Sequence, residues 1–372
     1  MKYFNAALVA RAKRLEPILL ALFPLRWLLT PLAALLRLRR ARADYLVADG
    51  FLIGDTVLIR PFLRACLSAG SKVVYLGGAH APAVLADLPV IHRPFQWPWA
   101  TYRRDLATLL GLLKCWAYLF VSQPRTVIEV RGDVRGLAFL FLACPRRLVG
   151  YSFTGGRRLL DAEPPGMGAY AHLEAHHEAL ARLLGLPYRR EAVFVEIGRR
   201  PVPQRILGLS FSGSLPLKTM PLGLAKAVVR AAQGTGLPLL YLAGPRDGFL
   251  AAHSLIQDSG IPVWRGRFSE YVQRISTLGA YIGVDSGGAH LAGMYAVPAL
   301  LCFGTQLAFY CAPIGYSGLQ ILEPPRSLPC RPCPGGHCVG LAFQECYASI
   351  PEESVVAAVQ RLHHAVDGRT QG

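Results

Sequence analysis

From residue 44 onward the chain alternates short apolar runs with longer stretches in which apolar residues recur at helical spacing. Strands are expected at 45–48, 72–76, 126–130 and 148–151, with an amphipathic helix over 56–69 and a histidine-bearing helix over 171–184. The segment 198–204, with two prolines and two arginines, reads as a linker. Beyond it a second series begins, with strands at 206–211, 239–243, 263–264, 280–284 and 299–303 and helices at 222–232 and 269–278. A final helix over 352–366 closes the pattern. Two α/β, Rossmann-like domains follow, an N-terminal one over 43–197 and a C-terminal one over 205–351.

The first 42 residues do not fit that rhythm. They carry nine basic side chains against the single Glu16, a net +8, interspersed with leucines. Pro17, Pro24 and Pro31 are expected to break any single long helix. The segment reads as a basic amphipathic extension lying on an anionic membrane surface, with packing on the body and a cleaved signal peptide as the alternatives. The whole chain has a net charge of +17 and 52% hydrophobic residues, but no run of uncharged apolar residues long enough to span a bilayer. Basic residues cluster with leucines rather than with base-stacking aromatics, which argues against nucleic acid as a partner. Nine cysteines in 372 residues do not make a disulfide framework.

Three places carry chemistry. At 280–290, AYIGVDSGGAH reads as a strand that empties at Asp285 into a turn of Ser286, Gly287 and Gly288, with a helix starting near Ala289 and His290. Unpaired amides and the positive end of a helix there suit an anionic ligand; a glycine turn with only a packing role is the alternative. Gly54-Asp55, in the loop leaving the first strand, places a carboxylate at the sheet edge where ligands bind. Asp55 suits a general base, or else an N-cap for a helix from Thr56. Lys218 follows the first strand of the second half through a Gly/Ser loop containing Ser212, and suits a phosphate.

Cys330, Cys333, Cys338 and Cys346, with His337 among them, have spacing that could close a structural zinc site or leave a loop of free thiols. His172, His176 and His177 share one expected helix without the glutamate of a zinc-hydrolase motif. Arg157, beside Gly155-Gly156, suits contact with an anionic acceptor.

Taken together, these residues resemble glycosyltransferase family 9, the ADP-heptose:lipopolysaccharide heptosyltransferases. The likeness rests on the IGD loop with its PFLRA helix (53–65), VIEVRGDVRG (127–136), RRLVGY (146–151), the Lys218 loop, DSGGAHLAG (285–293), PALLCFGT (298–305) and the late cysteines. It covers roughly 44–365, leaving the basic extension outside. The resemblance implies a GT-B fold, two Rossmann-like domains facing across a cleft. It also implies an inverting, metal-independent transfer of a heptose or related sugar from an ADP-sugar to a lipopolysaccharide core or other lipid-linked acceptor at the inner face of the cytoplasmic membrane. By motif, Asp55 is the base, and Ser212, Lys218 and Asp285 with 286–290 bind the donor. Gly54, Arg131 and Arg157 belong to the acceptor side. A transferase with another nucleotide-sugar donor and a sugar-nucleotide epimerase are the alternatives.

Overall fold

The computed structural model describes residues 19–37, 43–98, 105–169, 171–213, 215–244, 251–333, 338–340 and 342–370. It divides into two compact units, Tyr3–Ala192 and a second that begins at Val193, slightly before the expected linker.

The first unit is built on a five-stranded, wholly parallel sheet. Its strands are β1 (Tyr45–Ala48), β2 (Val73–Gly77), β3 (Ile91–Pro94), β4 (Thr126–Glu129) and β5 (Leu148–Gly150), in the order β3-β2-β1-β4-β5. Tyr45 pairs with Val73 on one side and with Thr126 on the other. Strands flanked this way are apolar throughout, as YLVA and VVYLG are. Strand β3 escapes sequence reading because Ile-His-Arg-Pro at the sheet edge is mostly exposed.

Among the described residues, seven α-helices accompany that sheet: α1 (Leu22–Arg37), α2 (Ile53–Leu58), α3 (Arg60–Ser68), α4 (Ala81–Val84), α5 (Leu106–Ser122), α6 (Val134–Leu142) and α7 (Leu173–Leu183). The single helix expected over 56–69 is two, because Pro61 lacks the N–H needed to continue the first and instead opens the second. The extension departs from expectation in the other direction. Helix α1 continues through Pro31, and Pro24 sits in its first turn, where a missing N–H costs nothing. Thr30 Oγ1 donates to Arg26 O at 2.8 Å one turn back. Leu29, Ala33 and Leu36 seat α1 on Trp116, Phe120 and Cys144, so this part of the extension packs on the body. Residues 1–18 and 38–42 of the extension lie outside the described residues.

The second unit holds a six-stranded parallel sheet: β6 (Gln204–Ser210), β7 (Leu239–Leu242), β8 (Val263–Trp264), β9 (Leu278–Val284), β10 (Ala299–Cys302) and β11 (Leu319–Leu322), in the order β11-β10-β9-β6-β7-β8. Its helices are α8 (Leu222–Gln233), α9 (Ala251–Asp258), α10 (Phe268–Ser276), α11 (Gly287–Met294), α12 (Ala308–Cys311), α13 (Glu345–Ala348) and α14 (Glu352–Thr370). Val355, Ala358, Val359 and Leu362 of α14 are buried in the same core as Leu207 and Ile282, which makes the last helix part of this unit. Both sheets reverse strand order beside their first strand, between β1 and β4 and between β6 and β9. Chains leaving adjacent strands toward opposite faces open a crevice at the carboxyl ends, the place where such sheets bind ligands.

Candidate active site

At the first reversal Asp49 directly follows β1 and β4 ends on Glu129, and the following residues turn Arg131 back toward Asp49. Glu129 makes that turn. Its Oε2 accepts the N–H groups of Arg131 at 3.1 Å and Gly132 at 2.5 Å. Gly132 has φ +70°, and a Cβ there would sit 2.6 Å from the Phe153 ring, so no larger residue fits.

Arg131 then joins two carboxylates. Its Nη2 is ion-paired with Asp55 Oδ1, and its Nε lies 3.7 Å from Asp49 Oδ1. The guanidinium also sits 4.6 Å over the Phe51 ring. Asp55 stands in the first turn of α2, which starts at Ile53 and not at Thr56 as the cap reading required. Its second oxygen accepts the Leu52 N–H at 3.0 Å, which fixes the carboxylate at the positive end of the helix.

Asp49 was not visible as a site residue in the sequence. It is 1% exposed and accepts the Tyr75 hydroxyl at 2.6 Å. Tyr75 meets Thr56 Oγ1 at 3.0 Å, and Thr56 meets His80 Nε2 at 2.9 Å, so a polar chain runs inward from the Asp55 helix. Burial pushes the Asp49 carboxyl above its ordinary range against the pull of Arg131, and the charge of Asp55 adds to the rise. Burial likewise pushes Glu129 up to about 8, against its two backbone hydrogen bonds. Burial lowers His80, with Asp55 opposing.

Arg131, expected on the acceptor side, is thus the partner of Asp55 itself. Gly54 lies half-buried in the first turn of α2. Arg157 is engaged elsewhere in this unit, with Glu163 Oε2 at 3.1 Å and the Leu160 carbonyl at 3.1 Å. Each of the three histidines has one ring nitrogen against the backbone. His172 caps Glu174, His176 meets Gly168 O at 2.9 Å, and His177 meets Leu58 O at 3.1 Å.

At the second reversal Asp285, which is 4% exposed, directly follows β9, and the loop after β6 brings Lys218 Nζ to its Oδ2 at 2.5 Å. That loop folds tightly. Met220 N–H returns to Phe211 O at 2.8 Å, and a Cβ on Gly213 would meet Lys218 Cβ at 2.5 Å. Ser212 in the same loop is half-buried. Ser286 takes the N-cap position of α11 in extended conformation without capping it through its hydroxyl. Ser286 and Gly287 are partly exposed, while Gly288, Ala289 and His290 are buried. Helix α11 therefore begins two residues earlier than expected. Gly288 answers to packing, because a Cβ there would lie 2.5 Å from Tyr281 OH and 2.6 Å from Tyr271 OH. The accessible backbone of the turn is that of Ser286 and Gly287.

The cysteine segment supports this site from behind. Gln344, buried and at φ +56°, aims its amide at the Lys218 loop, donating to Thr219 O at 2.7 Å and Leu217 O at 3.2 Å. Arg331 Nη2 donates to Gln306 O and meets Glu323 Oε1, both at 2.7 Å, and Cys333 N–H reaches Thr305 O at 2.9 Å. Tyr347, fully buried, lies against Gly304, where a Cβ would approach its ring to 2.4 Å. Burial and then the charge of Asp285 push its phenol up. Gln344, Arg331 and Tyr347 carry no motif of their own, and only contact reveals them.

Cys333 and Cys346 are buried, and Cys330 and Cys338 half-buried. The thiols are close enough to disturb one another: burial and then Cys330 and Cys338 raise Cys333. Among the described residues, no three or more His, Cys, Asp or Glu side chains converge as a metal centre, and Cys338 Sγ donates to Ala342 O at 3.7 Å. His337 lies outside the described residues.

No protein-family model and no curated protein matches the sequence. Solved structures do match the fold. A glycosyl transferase family 9 protein from Veillonella parvula is 15% identical with a TM-score of 0.68, over 88% of this chain and 98% of that one. ADP-heptose lps heptosyltransferase II from E. coli is 13% identical with a TM-score of 0.66, over 87% and 99%. The E. coli heptosyltransferase WaaC with ADP-2-deoxy-2-fluoro heptose is 15% identical with a TM-score of 0.59, over 76% and 93%. The chain shares the two-unit, parallel-sheet GT-B fold of these glycosyltransferases.

Proposed function

We propose that this protein is a glycosyltransferase that moves a heptose or related sugar, with inversion, from an ADP-sugar to a hydroxyl of a lipopolysaccharide core or similar glycan. One observation carries the reading: each sheet reversal is furnished with charged groups that suit one half of such a transfer. In the second unit, Lys218 beside Asp285 and the open turn at Ser286 and Gly287 suit a sugar diphosphate. In the first, the Asp55 carboxylate beside Arg131 suits proton acceptance. The donors in the solved relatives support the choice of an ADP-sugar.

In the proposed step the acceptor oxygen bonds to the anomeric carbon as the bond from that carbon to the diphosphate oxygen breaks. The hydroxyl proton passes to Asp55 and ADP leaves. Two carboxylates share one guanidinium, so Asp49, Asp55 and Arg131 total −1 when both acids are ionised, which favours an arriving proton. Lys218, held on Asp285, is an ammonium with three N–H donors, which suits it to the oxygens of a diphosphate. Preorganised donors of this kind offset the charge that grows on a leaving group. These groups need no metal ion in the proposal, so turnover should survive a chelator.

A thermal-shift panel of ADP-, UDP-, GDP- and dTDP-sugars tests the donor, since binding to the native state raises the melting point. ADP-sugars should give the largest shift. A larger shift with UDP-sugars, or product of retained configuration, would overturn the reading.

A further inference from the structure

Helix α1 wears its polarity inside out. Its two arginines point into the protein: Arg26 lies 4.1 Å over the Phe141 ring, and Arg37 donates to Gln123 Oε1 at 3.1 Å and Cys144 O at 2.8 Å. Its outward face is apolar, with Leu25, Trp27, Leu28, Leu32 and Leu35 all exposed and Trp27 at 75%. The neighbouring α5 continues the pattern with exposed Leu106, Leu109, Leu110 and Leu113 and the single cation Lys114. Among the described residues, twelve of the twenty-one exposed large apolar side chains lie on these two helices and the short lead-in to α1. Scattered exposed leucines are ordinary, but two neighbouring helices concentrating more than half of them are not.

The charge around this face is equally ordered. Arg37 at the end of α1 reaches Gln123, the residue that ends α5, so both helices finish side by side. Exposed Arg125, Arg146 and Arg147 stand at that end, with Arg146 donating to Arg37 O at 2.7 Å. Asp44 meets Arg125 at 3.3 Å, and Asp105 caps the opposite end of α5.

We propose that α1 and α5 together form a docking surface for an anionic lipid bilayer, with their leucine faces in the headgroup–acyl boundary and the arginines at the helix ends against lipid phosphates. Apolar faces rimmed by cations are what such a surface selects. The helices lie on the bilayer and do not cross it: none among the described residues is long and apolar enough, and α5 at 17 residues spans only about 25 Å. A second copy of this chain is a poorer occupant, because a net charge of +17 opposes self-association. The inference places half of the surface on α5, inside the first unit, and not on the N-terminal extension alone. It deepens the proposed function by bringing a lipid-carried acceptor to the protein, yet its test does not involve transfer.

Full-length protein is floated with phosphatidylcholine vesicles with and without phosphatidylglycerol. Binding to the anionic vesicles is expected, and the double variant Leu109→Asp/Leu113→Asp, which leaves residues 1–42 intact, should lose at least about tenfold in partitioning. Trp27 emission should shift to the blue on binding and be quenched by brominated lipid, both effects disappearing in Trp27→Phe. Wild-type protein that stays unbound, or a double variant that binds as wild type does, would overturn the proposal. So would a dimer in sedimentation that the double variant dissociates, since a second copy would then cover the face. The ADP-sugar thermal shift of the double variant shows that it is folded, and failure of that shift in wild type would strike only the transfer reading.

Discussion

The two sheets reverse their strand order beside their first strands, yet the crevices they furnish are chemically opposite. The first gathers Asp49, Asp55 and Glu129 around Arg131 and buries them, an excess of acid held in place by one cation. The second sets one cation, Lys218, against one acid, Asp285, and leaves a helix N-terminus partly exposed beside them. A shared backbone device therefore carries two different charge arrangements, and in the proposed function one serves to take a proton and the other to hold an anion. The difference lies in a few side chains at strand ends, which the common topology brings to equivalent places.

That contrast can be broken one group at a time. Asp55→Asn keeps the shape but removes the proposed proton acceptor, and turnover should fall about a thousandfold in a purified assay. Wild-type turnover in that variant would withdraw the base assignment. Arg131→Met strands Asp49 and Asp55 without their shared cation and should destabilise the first unit by about 3 kcal/mol in urea melts. An unchanged midpoint would show that the acids are held by other means.

Glu129 tests the buried excess of acid by pH. Its carboxyl sits at about 8 in the folded state against an ordinary value of 4.5, so the native protein keeps a proton that the unfolded chain releases between those values. Stability should fall as pH rises across that window, by up to about 1.4 kcal/mol per pH unit from this group. The raised Asp49 acts in the same direction. Glu129→Gln should flatten the slope and leave the variant at least as stable as wild type at the alkaline end; an unchanged slope would locate the buried proton elsewhere. The smallest effect is expected at Gln344→Leu, which frees the carbonyls of the Lys218 loop and should weaken donor binding a few-fold, about 1 kcal/mol. Full affinity in a donor titration would mean that Gly213 and the Met220 return alone fix the loop.

Much of this was legible in the sequence, for a physical reason. Strands buried on both faces must be apolar, so β1, β2, β9 and β10 and the buried second half of β6 announce themselves, and with them the residues that follow. Asp285 stands out that way, directly after β9, whereas Asp55 and Lys218 lie in the segments that follow β1 and β6 and were singled out by motif resemblance. The edge strands β3 and β11 were not, because half-exposed edges carry mixed residues. Proline misled in the extension: Pro24 falls where a helix start tolerates it, and packing by Leu29, Ala33 and Leu36 carries α1 past Pro31. Asp49 and Gln344 were silent since nothing in their neighbours along the chain shows Tyr75 arriving from β2, or the Lys218 loop from more than a hundred residues away.

The central claim is that donor grip and proton acceptance belong to different units. Calorimetric titration of one ADP-sugar into Asp55→Asn and Lys218→Ala tests it most directly. The account expects wild-type affinity in Asp55→Asn and a loss of about tenfold or more in Lys218→Ala, where a charge-assisted contact is removed. Donor binding that vanished with Asp55 and survived the loss of Lys218 would contradict it.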